Sequence, residues 1–206
     1  EWLRSRIGIV SASRFKDVLT EPRSKTDKEV GNLSVTAETY LYELVSMILT
    51  DDAPNFSSAA TDWGNENEPL ARLEYSMMTD NNVVETGIFF HDNRKAGASN
   101  DGVVDDDGMV EIKCPFNTVN HVRTVVSGDM PKEHMPQVQG NLWINGREWC
   151  DFISYSNGLN MVVIRCEPIA EYQAAIESAL IDAEKTISRI VRKYKIAVID
   201  PKSRVF

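Results

Sequence analysis

The sequence predicts an α/β fold, a central mixed β-sheet flanked by helices. Apolar residues recur at helical spacing near both ends of the chain, in "TAETYLYELVSMIL" and again over about 170–194. Between them, short runs rich in Val, Ile and Phe are punctuated by Gly, Asn and Asp, as strands are. A middle helix then separates one group of strands from a second, the alternation that builds layered α/β proteins. At 206 residues, 42% of them hydrophobic, the chain has material for one full core and is short for two, so residues 1–206 are expected to form a single domain.

The elements follow in order. From Ser11 to Leu19 a Ser-Ala-Ser start followed by Phe15, Val18 and Leu19 reads as a short helix closed by Pro22. "EPRSKTDKEVGN" is polar and mixed in charge, and reads as a mobile loop. In "TAETYLYELVSMIL", Ala37, Leu41, Leu44, Val45 and Ile48 share one face of a second helix. "DDAPNFSS" breaks it, and "WGNENEPLARLEYSMM" resumes helix, with Pro69 tolerable only in its first turn. Residues 83–90, 96–105 and 109–113 read as one antiparallel meander. A helix around "EHMPQVQGNLWIN" puts Met135, Val138 and Leu142 on one side, and "FISYS" and "MVVIRC" read as strands around an Asn157-Gly158 hairpin turn. The closing helix carries Tyr172, Ile176, Leu180, Ala183, Ile187, Ile190 and Tyr194 on one stripe.

Composition excludes several classes. No apolar run approaches the roughly 20 residues that cross a bilayer, and no basic-then-apolar leader opens the chain, so no membrane is expected and a cytoplasmic setting is the default. Cys114, Cys150 and Cys166 are odd in number and never paired as CxxC, which argues against disulfides and zinc. His91, His121 and His134 lack ligand spacing. Trp63, Trp143 and Trp149 read as core, and the methionines of "YSMMTD" as helix-end packing. A net charge of −9 counts against a nucleic-acid partner unless a local basic groove is present.

The chemistry concentrates in "GASNDGVVDDDGMVEIKCP", residues 97–115. A three-residue hairpin loop ends on a left-handed glycine, and Asp106-Asp107-Gly108 fits that form. In that register Asp105 faces Met109, Val103 faces Glu111 and Asp101 faces Lys113. Cross-strand partners share a side, as do residues two apart, so Asp101, Glu111 and Lys113 meet on one face while Val110 and Ile112 fill the core on the other. A two-residue loop turns Asp101 away. Carboxylates are hard ligands suited to Mg²⁺, and a neighbouring lysine can orient the attacking water and counter phosphate charge, so the set outlines a phosphodiester-hydrolysis site. Asp105, Asp106 and Asp107 read as the solvated turn.

"GASNDGVV…MVEIKCPF" resembles the core of the PD-(D/E)XK restriction-endonuclease-like nuclease fold. With "LRSRIGIVSASRF", "WGNENEPLAR" and "MPQVQGNLWI" in the same order along the chain, it is similar to the phage lambda exonuclease, or YqaJ-like viral recombinase, family. The resemblance places core motifs at 2–144, with C-terminal strands and helix at 152–194 fitting more loosely. It implies Asp101, Glu111, Glu68 and the Ile112 backbone carbonyl as metal ligands and Lys113 as the residue that positions or activates the attacking water. Gln137, first glutamine of "QVQ", is implied to hold the lysine and the scissile phosphate; Gln139 is turned well away on the same helix. A family pocket for the DNA 5′-phosphate falls on Arg6, Ser13 and Ser99, in keeping with a helix start rich in hydroxyls beside a guanidinium. Arg23 falls on a DNA-binding loop arginine. Taken singly, Ser11 and Ser13 also read as N-caps, and Glu68 and Arg23 as ordinary surface residues. The family's "PD" proline is Asn100 here, which removes backbone stiffness but no ligand.

The function so implied is an ATP-independent 5′→3′ exonuclease on linear double-stranded DNA. It would use Mg²⁺, two ions with Mn²⁺ able to substitute, and leave a 3′ single-stranded overhang for recombination by strand annealing. The implied partners are double-stranded DNA, two further copies in a homotrimer ring and a single-strand annealing recombinase, in a bacterial cell carrying a phage or prophage. A structure-specific or restriction-type endonuclease, or an inactive DNA-binding relative, are the alternatives.

Overall fold

The computed structural model describes residues 4–53 and 58–199; Trp2 and part of the predicted break after the second helix lie outside them. The chain opens with a 3₁₀ turn at Arg4–Arg6 and strand β1 (Val10–Ser11). A second 3₁₀ turn (Ala12–Arg14) runs into α1 (Phe15–Val18), so the first helix is shorter than its sequence suggests. The polar loop contains a helix, α2 (Lys25–Glu29), whose N–H of Asp27 is capped by the Ser24 hydroxyl. Helix α3 (Val35–Thr50) starts on the Ser34 cap and buries the face carrying Ala37, Tyr40, Leu41, Leu44 and Val45.

Helix α4 (Ala59–Thr79) begins earlier than predicted because the Ser58 hydroxyl caps Thr61. Pro69 therefore lies in its middle, not its first turn, and withholds an N–H from the Asn65 carbonyl. Strands β2 (Val83–Val84), β3 (Phe89–Phe90), β4 (Ala96–Ala98), β5 (Gly102–Val104) and β6 (Gly108–Lys113) follow. Helix α5 (Thr118–Ser127), unforeseen in the sequence, and α6 (Met135–Asn145) lead to β7 (Trp149–Ser154), β8 (Val162–Cys166) and α7 (Ala170–Ile199).

The predicted meander is divided between two sheets. A small one has the order β1-β4-β3, with β1 parallel to β4, and the larger has the order β2-β5-β6-β7-β8. β6 and β7 are parallel, joined by the crossover that carries α5 and α6; the other neighbours in the larger sheet are antiparallel. Both sheets are flanked by helices and the larger one is mixed, as the predicted class requires. The Asn157-Gly158 turn exists, with Gly158 at φ +81°, but sits inside a loop from 155 to 161, not a tight hairpin.

Strand parity sends side chains to two different layers. Val110, Ile112 and Ile153 pack with Ala71 and Tyr75 of α4, whereas Met109, Cys150 and Phe152 pack with Val138 and Leu142 of α6. Glu111 shares the parity of Met109 and so points into the α6 layer. A third cluster joins Val10 and Phe15 to α3 and to Ile176, Leu180, Ala183 and Ile187 of α7. Tyr194, predicted on that stripe, is exposed. Trp63, Met77 and Met78 are exposed as well, against the core and packing roles expected of them. Among the described residues no helix is long and apolar enough to cross a membrane.

Candidate active site

The hairpin register differs from the predicted one by two residues, and the difference leaves the site intact. Val103 pairs with Met109 and Gly102 with Val110, and the Asp101 N–H donates to the Val110 carbonyl at 3.2 Å, so Asp101 follows the last pair of the ladder and is not opposite Lys113. A shift of two preserves every side chain's face, and Asp101, Glu111 and Lys113 still meet on one side. Asp105, at φ +47°, takes the left-handed position expected of Gly108. Gly108 is required for a different reason: a Cβ there would stand 2.1 Å from the Trp149 ring.

β5 ends at Gly102 while β6 runs on, so the edge of β6 beyond Val110 has no strand beside it. The Asp101 carboxylate fills that place, Oδ2 accepting the Ile112 N–H at 2.6 Å. N–H and C=O of one strand residue leave the same edge, so the Ile112 carbonyl also points to the side where Asp101 stands. Lys113 Nζ donates to Glu111 Oε1 at 2.6 Å, and Asn141 Nδ2, from α6, donates to Glu111 Oε2 at 2.8 Å. Glu111 is fully buried.

Glu68 reaches the group from α4, paired with Arg72 one turn later at 2.6 Å. Arg72 also donates from Nε to the Asp101 carbonyl at 3.1 Å and pairs with Glu85. It thus ties the α4 carboxylate to the Asp101 backbone. Neither Arg72 nor Asn141 was singled out from the sequence. The Glu68-to-Arg72 spacing of four on a helix was the available signal for the first; only the structure reveals the second.

Electrostatics mark the cluster as charge held against its preference. Burial pushes the Glu111 carboxyl up to about 7, and Asp101 and Glu68 add to the rise against the pull of Lys113. Glu68 is pushed up to about 6, first by burial and then by Asp101. Asp101 is raised by burial, with Lys113, the Ile112 N–H and Arg72 opposing. Burial lowers the pKa of Lys113, but Glu111 and Asp101 outweigh it and the ammonium is held charged.

Among the described residues no three of His, Cys, Asp and Glu stand close enough to hold an ion as their side chains are placed; Lys113, Asn141, Arg72 and the Ile112 N–H bond oxygens of Glu111, Glu68 and Asp101 instead. The donor chemistry nevertheless fits a hard divalent cation. It consists of carboxylate oxygens and a backbone carbonyl, and the carboxylates raise one another's pKa, a repulsion that such a cation relieves.

The remaining predicted residues fall around this centre. Gln137 is half-buried on α6, one turn before Asn141 and so on the same face, and its amide makes no hydrogen bond among the described residues. Gln139 is buried and structural, donating to the Glu167 carbonyl at 2.8 Å and accepting the Ile169 N–H at 2.7 Å. Arg6 donates to Ser11 Oγ at 2.8 Å, and Ser11 and Ser13 hydroxyls are 3.0 Å apart; Ser11 makes no side-chain capping bond. Parallel pairing of Ser11 with Gly97 carries Ser13 and Ser99, each two residues further on, to the same end of the small sheet. Arg23 is exposed before α2, with no ion pair among the described residues. His121 bonds Ser154 Oγ at 2.9 Å, His91 packs on Trp143, and His134 stacks on Phe152, so the three histidines do not form one site.

A cleft of about 590 Å³ opens beside Lys113. Lys113, Arg123 and Lys132 line it with the polar Asn120, Thr124 and Ser154, against the acidic Asp129 and Glu133. Three basic side chains against two acidic ones, with Lys113 itself paired to Glu111, leave this cleft close to neutral, so its lining does little to offset the chain's net charge of −9.

Comparison with known proteins places the whole chain. The YqaJ-like viral recombinase domain matches residues 1–148. The alkaline exonuclease LHK-Exo from Laribacter hongkongensis superposes with a TM-score of 0.79 at 33% sequence identity, over 94% of this chain and 97% of that one. Its complex with dAMP matches at 34% identity over the same shares, again with a TM-score of 0.79. A phage related exonuclease from Haemophilus somnus 129PT, 16% identical, has a TM-score of 0.72 over 90% of this chain and 96% of its own, a likeness of fold. No curated protein sequence matches. The fold is PD-(D/E)XK-like, and the chain belongs to the YqaJ-like viral recombinase family.

Proposed function

We propose that the protein is a Mg²⁺-dependent exonuclease that degrades one strand of linear duplex DNA from its 5′ end and leaves a 3′ single-stranded tail for strand annealing. The observation that carries this reading is the convergence of Asp101, Glu111 and Lys113 at the open edge of β6, with Glu68 behind them and a cleft alongside. The similarity to an alkaline exonuclease over nearly the whole chain supports it.

Asp101, Glu111, Glu68 and the Ile112 carbonyl would hold Mg²⁺, two ions at full occupancy, with Mn²⁺ a substitute. When bound, the ion supplies Lewis-acid polarisation of the scissile phosphate and a more acidic water. The chain's own groups do the rest. Lys113, held charged by Glu111 and Asp101, orients the attacking water and counters charge on the phosphate. Gln137 has a free amide on the site's side of α6 and contacts the phosphate and the lysine. Arg6, Ser13 and Ser99 receive the terminal 5′-phosphate, and Arg23 contacts DNA from the α2 approach. A homotrimer ring, an annealing recombinase as partner and the cytoplasm of a bacterial host complete the reading.

The test is digestion of linear duplexes in Mg²⁺ with 5′-phosphate or 5′-hydroxyl ends, beside a covalently closed circle. Release of mononucleotides from the phosphorylated ends, with the circle intact, is the expected result. Cutting of the circle at a comparable rate would identify an endonuclease instead.

A further inference from the structure

We infer that an asparagine bridge, Asn100–Asn145–Asn141, positions the two central carboxylates. This rests on the nuclease reading above. Asn100 immediately precedes Asp101 and is nearly fully buried, at 4% exposure. Its side-chain oxygen accepts from the Thr86 hydroxyl at 2.9 Å, and its Nδ2 donates to Asn145 Oδ1 at 3.1 Å. Asn145 Nδ2 in turn donates to the backbone carbonyl of Asn141 at 2.7 Å, one turn earlier on α6. Asn141 closes the chain by donating to Glu111 Oε2.

The bridge therefore connects the backbone that carries Asp101 to the amide that orients Glu111, across the gap between the sheet and α6. Two physical points favour a positioning role over simple packing. Glu111 is fully buried, and an amide donor aimed at one oxygen fixes the rotation of the carboxylate that Lys113 holds by the other. The Asn141 side-chain oxygen has no hydrogen-bond partner among the described residues although the residue is fully buried, an arrangement that costs stability and that packing alone does not explain. Groups that orient metal-ligating carboxylates typically change metal affinity by about 10- to 100-fold when removed.

The experiment measures Mn²⁺ affinity by water-proton relaxation, independently of cleavage, for the wild type, Asn141→Ala, Asn141→Ser, Asn145→Ala and Asn100→Ala. Thermal unfolding is followed in each. The expected result is a loss of affinity of about 10-fold in Asn141→Ala, partly rescued by Asn141→Ser, which keeps a donor. Asn145→Ala should lose less, and Asn100→Ala combined with Asn145→Ala should lose no more than the larger single effect, because both break one bridge. In Mg²⁺-dependent digestion the same variants should need more Mg²⁺ for half-maximal rate, with KM for DNA ends unchanged. Folded variants that bind Mn²⁺ like the wild type would overturn the bridge, as would additive losses at Asn100 and Asn145. Wild-type protein that binds Mn²⁺ at this site but cuts no DNA would instead overturn the nuclease reading and leave the bridge standing.

Discussion

Asp101 and Glu111 converge at the end of the β5–β6 ladder, and each is held by a different kind of group: a backbone N–H for Asp101, a lysine and a buried amide for Glu111. The pair is thus ordered by the protein before any ligand arrives, at the cost of two carboxylates whose pKa values burial has raised.

Lys113→Met keeps most of the side-chain volume and removes the charge. Loss of a positioned acid–base or water-orienting group typically lowers rate by about 10²- to 10⁴-fold. Turnover on linear duplex should fall by that order, while binding of duplex ends, read by fluorescence anisotropy, changes little.

Arg72→Lys tests whether the α4 clamp needs a planar fork. A lysine cannot serve the Glu68 carboxylate and the Asp101 carbonyl together, so the substitution is not conservative. Turnover should drop by about an order of magnitude and stability by about 1–3 kcal/mol, as for a broken charged hydrogen-bond network. Equal activity of the two proteins would show that the clamp plays no part.

The hairpin loop makes opposite predictions at two positions. Asp105 adopts a left-handed backbone that glycine favours, so Asp105→Gly should be neutral or stabilise by up to about 1 kcal/mol. Gly108→Ala drives a methyl into the Trp149 ring and should destabilise by about 1–3 kcal/mol. Urea unfolding of both variants reads the contrast.

His134 is pushed down to about 4, by burial and then by Lys113, so the folded state favours its neutral form. Its contribution to stability is fully present above the ordinary histidine value of about 6.5 and is lost as pH falls from there toward 4. Its partial exposure limits the contribution to on the order of 2 kcal/mol. The difference in unfolding free energy between wild type and His134→Gln should therefore shrink by about that amount between pH 7.5 and pH 4.

Arg6→Ala removes the guanidinium that bonds Ser11. It should raise KM for 5′-phosphorylated ends several-fold and leave 5′-hydroxyl ends nearly unaffected, so that the preference between them, measured in competition, disappears.

The site was legible in the sequence because strand parity tolerates an even error. The predicted pairing of Asp101 with Lys113 was displaced by two residues, yet the three side chains share a face in either register. The division into two sheets was missed although a signal was there: Ser99-Asn100-Asp101-Gly102, where the chain leaves one sheet and enters the other, is a run of turn-type residues that the sequence reading carried as strand through 96–105. Helix α5 did carry local signals, an Asn117 side chain that caps Val119 and a left-handed Gly128 at its end, but its outward valines break the pattern of a buried face. Pro69 misplaced the start of α4, since tertiary packing of Ala71 and Tyr75 carries the helix through a residue that local propensity would put in the first turn. Asn141 lies beyond any local reading, because its partner Glu111 is 30 residues away in sequence.

Anomalous diffraction from crystals grown with Mn²⁺ decides whether the β5–β6 hairpin is a metal-dependent catalytic centre. A peak is expected between the Asp101 and Glu111 carboxylates, within coordination distance of the Ile112 carbonyl, and should be absent from Asp101→Asn crystals grown in the same way. Manganese bound elsewhere, or a peak that survives loss of the Asp101 carboxylate, would contradict it.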